Sequence, residues 1–153
     1  VPIQFVYMLV VIVISGLILN RTKFGRNIYA VGDNKQAASY SGINSRRVTM
    51  TVFVIMGIFA SCAGILSSAR TFSAQFNVGE GSEMDAISAV VLGGTSMSGG
   101  VGRLSGTIIG CIVIGVLNNG MNILGIDSSW QYVVKGVVVL IAVFIDYIKK
   151  MKD

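Results

Sequence analysis

Four apolar runs, Pro2–Leu19, Val48–Leu66, Leu104–Leu124 and Gln131–Ile148, constrain this chain more than any motif in it. A helix that crosses a bilayer needs about 17–25 residues, and each run is that long. A soluble domain could bury such runs only by covering them with polar residues. Those residues are missing. Of 153 residues, 53% are hydrophobic and 12% are charged, against about 25% charged in an ordinary soluble domain. Mean hydropathy is +0.75. The fold class expected is therefore an all-α integral membrane protein, with lipid as its solvent.

A fifth run, Met84–Ser98, is shorter and leads into "GGTSMSGGVG", Gly93 to Gly102, where a regular helix should break. Charge placement decides what it does. Lys and Arg cluster at Arg21–Arg47 and again at Lys149, Lys150 and Lys152, and the positive-inside rule puts both clusters in the cytoplasm. Between two cytoplasmic points the chain crosses an even number of times. Three long runs lie between them, so Met84–Ser98 must cross as well, as a short or broken helix. The expectation is about five transmembrane helices, with Val1 outside and the C-terminus cytoplasmic. Glu80, Glu83, Asp85 and Asp127 then face outside with Arg70 and Lys135. The net charge of +5 sits at the ends of apolar runs, which suits topology and not a nucleic-acid face.

A broken helix is viable only where protein covers it. Gly102, Gly106 and Gly110 recur every four residues, as do Ala60, Gly64 and Ser68. Such stripes let helix backbones touch. They serve packing alone, or they line a path between partly broken helices.

Several chemistries find no support. There is no His, and Cys62 and Cys111 fall inside apolar runs, where they read as small core residues and not as a disulfide or metal pair. "GGVGRLSG" lacks the GxxxxGK[ST] and GxGxxG patterns of nucleotide loops and lies between two membrane runs. No catalytic residue and no cofactor is expected. The first run has no basic segment before it, so it is not read as a signal peptide. The chain begins at Val1 and not Met, which reads as part of a longer protein.

The polar groups within membrane reach are few. Asn118 and Asn122, four apart, share a helix face, with Asn119 offset by one; Trp130, Gln131, Tyr132 and Lys135 follow. Amides, an aromatic plane and an indole N–H suit a hydroxyl-rich solute and need no charge. The same amides could instead bind helices together, and the aromatics could form an interfacial belt.

The segment 20–47 reads as a cytoplasmic loop with one short helix. Asp33 can cap it, Asn34 follows, Gln36 falls at the third helical position and Gly42 can end it. A helix of about eight residues is marginal alone and is stable when docked. Ala37, Ala38, Ser39 and Ser41 would then be exposed small side chains that fit a partner's cleft. The other reading is a disordered connector.

"GRNIYAVGDNKQAASYSGI", Gly25 to Ile43, resembles the cytoplasmic loop of the ribose-type sugar permeases of bacterial ATP-binding-cassette importers. "GSEMDAISAVVLGGTSMSGGVGRLSGTIIGCIVIGVLNNGMNIL", Gly81 to Leu124, and "SSWQYVVKGVVVLIAVFID", Ser128 to Asp146, resemble the same group. The resemblance covers nearly the whole chain from Arg21 onward and implies the C-terminal half of such a permease over residues 1–153. It implies a homodimer in the bacterial inner membrane that receives sugar from a periplasmic or lipid-anchored binding protein. A cytoplasmic ATPase subunit, which binds the ATP, would drive it through a coupling helix at Asp33–Gly42. Membrane lipid is the remaining partner; nucleic acid is not one. A permease for branched-chain amino acids or nucleosides, and a non-transporting membrane scaffold, are the alternatives.

Overall fold

The computed structural model describes residues 3–72 and 79–150, all of whose regular elements are helices. Lys152 and residues 73–78 of the acidic segment lie outside the described residues. The chain divides into two compact units, Val1–Gly79 and Glu80–Asp153.

The first unit holds α1 (Ile3–Arg21), α2 (Lys23–Asp33), α3 (Lys35–Tyr40) and α4 (Ser45–Thr71). α1 and α4 are long and apolar enough to cross a membrane. α1 buries no residue in its own unit, as a helix apolar on every side does when lipid or another helix covers it. Thr22 ends α1 and starts α2. Its hydroxyl donates to Ile18 O at 2.6 Å and accepts from Gly25 N at 3.1 Å. Gly25 lets α2 fold back over the end of α1, because a Cβ there would run into the carbonyls of Ile18 and Leu19.

Where a polar loop was expected, the chain forms an eleven-residue amphipathic helix, α2. Phe24, Ile28 and Val31, spaced i, i+4 and i+7, make its inner face, while Lys23, Arg26 and Asp33 are exposed. Val31, Ala38 and Val48 form a small core, with Phe24, Ile28 and Ile43 packed on it. α2, α3 and the start of α4 thus hold one another by a shared core.

The second unit holds α5 (Ser82–Leu92), α6 (Leu104–Ile123) and α7 (Ser128–Lys150). α6 is a third candidate span, and Ser128–Phe144 of α7 is a shorter apolar stretch. α5 is the short helix that the run Met84–Ser98 predicts, and it stops at Leu92, where the glycine-rich turn begins. Its eleven residues reach only about 16 Å, roughly half the hydrocarbon thickness. α5 lies tight against α6. A Cβ on Gly106 would strike the backbone of Gly93, and one on Gly110 would strike that of Ala89. Spacing alone predicts this close approach. In the first unit a Cβ on Gly64 would meet nothing within 4 Å, so among the described residues nothing packs against that glycine. Cys62 and Cys111, expected as core residues, are free thiols on exposed positions, since the helices that carry them are apolar all round and bury little.

Candidate functional site

Two polar constructions stand out. The first is the α2–α3–α4 joint. Asn34 has extended backbone angles, φ −148° and ψ 106°. Its N–H donates to Ala30 O at 3.1 Å, closing α2. Its Oδ1 accepts from Gln36 N at 2.9 Å and Ala37 N at 3.0 Å, opening α3. The capping role assigned to Asp33 therefore belongs to Asn34, and Asp33 is the last residue of α2. Both are good caps, and the kink that α2 needs before α3 places the extended residue at 34. α3 is six residues long, against the eight expected.

Gly42 ends α3 as predicted. At φ +80° it occupies the left-handed region that glycine enters without strain. Gly42 N donates to Ser39 O and Ile43 N to Ala38 O, both at 3.0 Å, which is the Schellman pattern. Ile43 then packs on the Ala38 cluster. Ala38 is only 4% exposed. It was expected on the docking face, and it belongs instead to the unit's own core, beneath α2. Gln36, Ala37, Ser39 and Tyr40 remain exposed, Tyr40 to 90%.

The second construction lies among α5, α6 and α7. Asn118 Nδ2 donates to Asp85 Oδ2 at 2.9 Å. Lys135 Nζ sits 2.6 Å from Asp85 Oδ1. Three helices are tied through one carboxylate. Lys135 Nζ also lies 5.7 Å from the centre of the Tyr132 ring, and that ring rests against Gly81. The triad is incompletely satisfied. Asn118 Oδ1 is enclosed without a hydrogen-bond partner, and Asp85 Oδ1 is enclosed against the Lys135 ammonium alone. Asp85 keeps 31% of its side chain open, and Lys135 11%.

Depth gives these charges their weight. α6 has 20 residues, about 30 Å, which matches the hydrocarbon layer. Asn118 lies five residues before its end, and Lys135 seven residues into α7. Each is then roughly 8–10 Å from the α6–α7 turn, inside the layer. Charges at that depth are costly unless paired, and they mark functional positions. Sequence reasoning placed Asp85 outside as a topology charge, and counted Lys135 both there and among the polar groups that follow the asparagines, without pairing the two. A lone cation near the start of an apolar run was the available signal.

Asn122 lies one turn after Asn118. Its Oδ1 accepts from Gln131 Nε2 at 2.9 Å, and the same Nε2 donates to Ile126 O at 2.9 Å. Asn118, Asn122 and Gln131 are thus drawn into two adjacent polar contacts, while Asn119 and Trp130 stay exposed. The wall expected to be neutral contains an ion pair whose charges cancel.

Membrane-length helices, a capped amphipathic joint and an intramembrane polar triad define a multi-pass membrane protein with a built polar site. The chain belongs to the family of branched-chain amino acid transport system permease components, whose model matches residues 2–143. It is 49% identical over 146 residues to the ribose import permease protein of Bacillus subtilis (strain 168), covering 95% of this chain and 45% of that protein. It is 49% identical over 137 residues to the ribose import permease protein of Escherichia coli (strain K12), covering 90% and 43%. It is 44% identical over 148 residues to the xylose transport system permease protein of Haemophilus influenzae (strain ATCC 51907 / DSM 11121 / KW20 / Rd), covering 96% and 40%. The chain spans less than half the length of these relatives. No solved structure matches it.

Proposed function

We propose that the chain contributes membrane-spanning helices and the coupling joint to the permease subunit of an ATP-driven monosaccharide importer in a bacterial cytoplasmic membrane. The observation that carries this reading is its identity to ribose and xylose permeases over nine-tenths or more of its length. The subunit has no ATPase site of its own, and a cytoplasmic partner binds the ATP. A sugar-binding protein delivers the solute, and a second copy of the permease completes the path. The basic segments Arg21–Arg47 and Lys149–Lys152 face the cytoplasm.

In this reading α3 is the coupling helix. Asn34 and Gly42 set its ends, with Asp33 the last residue of α2 before it; Gln36, Ala37 and Ser39 meet the ATPase, and Tyr40 joins them. Ala38 anchors it from below. Closure of the ATPase pair pushes on α3, and the core shared by Val31, Ala38 and Val48 passes the push to α4. Asn118, Asn122 and Gln131 face the solute, with Asn119 and Trp130 beside them.

A second reading has one observation in its favour. Asp85 and Lys135 carry opposite charges that could pair with a zwitterion, as an amino acid permease would need. The 2.6 Å contact favours the neutral solute, because a zwitterion would first have to break it. The test is ATP hydrolysis by the assembled complex in liposomes, with a pentose or leucine as solute. Stimulation by the pentose is expected; stimulation by leucine alone would replace the sugar reading. A single cysteine at Ser39, in a protein lacking Cys62 and Cys111, should cross-link to the ATPase in an ATP-dependent way. A Ser39→Cys protein that never cross-links would remove α3 from the coupling role.

A further inference from the structure

We propose that Asp85, Asn118 and Lys135, with the Tyr132 ring beside them, form a binding subsite for the hydroxyls of a neutral, polyhydroxylated solute. The proposal rests on the permease reading above and adds to it two charged residues and a ring. Three observations carry it.

The first is cost. An ion pair roughly 8–10 Å inside the hydrocarbon layer is not a cheap way to hold helices together. The glycine contacts at Gly93, Gly106 and Gly110 already pack α5 on α6. Replacing buried ion pairs by apolar residues is often neutral or stabilising, so stability alone does not call for these charges.

The second is incompleteness. Buried polar clusters that serve only structure are as a rule fully hydrogen-bonded. Here Asn118 Oδ1 is an enclosed acceptor without a hydrogen-bond donor, while Asp85 Oδ1 has only the Lys135 ammonium, at 2.6 Å. What is missing is a donor, and a solute hydroxyl is one. Asp85 is the point of approach. Its Oδ1 is enclosed, so the open 31% of the side chain belongs to its other atoms. A hydroxyl reaching Oδ2 competes with Asn118 Nδ2 for that oxygen and frees the amide to turn its own oxygen to a second hydroxyl.

The third is matched chemistry. A carboxylate only accepts, an ammonium only donates, and an amide does both. Together they satisfy a hydroxyl, which also does both. Their charges cancel, so the site favours a neutral guest. The exposed Tyr132 ring, 5.7 Å from Lys135 Nζ, offers a flat apolar surface beside the polar groups, as small-solute sites do.

The test uses the full chain, assembled with its partner subunits in phospholipid nanodiscs and lacking Cys62 and Cys111. Ser82, exposed on α5 three residues before Asp85, is changed to cysteine and labelled with a small water-soluble maleimide. Ribose is expected to slow labelling in the protein with an intact triad. 2-Deoxyribose should do so less well, and leucine should not. In Asn118→Leu the ribose concentration for half protection should rise roughly fivefold, as loss of one hydrogen bond to a neutral amide predicts. The ribose preference over deoxyribose should shrink with it. The double variant Asp85→Asn/Lys135→Met leaves no unpaired charge and guards against misfolding; it too should lose protection. Unchanged protection in both variants, or equal protection by ribose, deoxyribose and leucine, would overturn the subsite. Ribose import without protection would do the same while leaving the importer reading intact. Protection without import would support the subsite and remove the importer reading.

Discussion

Asn34 and Asn118 are the same side chain used in two media. At Asn34, on the basic segment, the amide oxygen takes two backbone donors and joins two helices. At Asn118, inside the hydrocarbon layer, the amide nitrogen has its acceptor and the oxygen has no donor. In water an unmet group costs little, because solvent meets it; in lipid it costs several kcal/mol. The amide oxygen is fully used where leaving it unmet is cheap, and left unmet where that is expensive. Structural demand explains the joint, and it does not explain the triad. That contrast is why the triad is assigned to a guest.

The contrast is broken most directly at Asp85. Removing one partner of a buried pair leaves an uncompensated charge and costs about 3–5 kcal/mol, toward the lower end here because Asp85 is part-open. Asp85→Asn and Lys135→Met are each expected to lower the thermal unfolding midpoint in detergent. The double variant should regain most of the loss. Additive losses in that cycle would mean that the pair contributes nothing as a pair, and the electrostatic account of the triad would fall.

A smaller effect separates the two units through their glycine stripes. At Gly106 an added methyl meets the backbone of Gly93, and backbone cannot step aside. Gly106→Ala should destabilise by about 1–3 kcal/mol. Gly64→Ala meets nothing within 4 Å in its unit. With no clash, it should gain the roughly 0.5–1 kcal/mol by which alanine exceeds glycine in a helix. Loss at Gly64 as large as at Gly106 would show that a helix not present in this unit lies against α4 there.

At the joint the comparison narrows to neighbours. Asn34→Ala removes an oxygen that takes two backbone donors and should cost about 1 kcal/mol, within the usual 0.5–2 for a cap. Asp33→Ala should cost a few tenths at most, as exposed substitutions do. Equal effects in urea unfolding would return the cap to Asp33.

What the sequence told in advance follows from the range of the forces involved. The apolar runs, the break after Leu92 and the stop at Gly42 depend on residues near one another in the chain, and all three were legible. The Phe24, Ile28, Val31 spacing is just as local but was not read, because the charges of Lys23 and Arg26 made the segment look like loop. Choosing between Asp33 and Asn34 was harder. Both are cap residues, and the backbone of one residue decides. Lys135 could be seen as a cation in an apolar run, but its partner lies 50 residues earlier, on another helix. The same holds for Gly106 and Gly93. Spacing announces that a small face wants a partner, and only the fold supplies it.

The smallest effect concerns Asp127, in the turn between α6 and α7. Its Oδ1 accepts from Ser129 N at 2.8 Å, and its own carbonyl accepts from Gln131 N at 3.1 Å, so it opens α7 as Asn34 opens α3. The Ser129 N–H, and after it the Ser129 hydroxyl, hold its carboxyl below the ordinary 3.8 by favouring the charged form. The sign follows from linkage. A depressed pKa means that the cap contributes fully above 3.8 and loses its contribution as pH falls through the folded value beneath it. Asn34, which does not titrate, should cap α3 equally at any pH. Asp127→Asn keeps an oxygen at the cap and removes the titration. Unfolding midpoints of the two proteins should therefore differ in one way above pH 4 and shift relative to each other only below it. A relative shift confined to near-neutral pH would mean that the Asp127 carboxylate is not the group whose titration the cap reports.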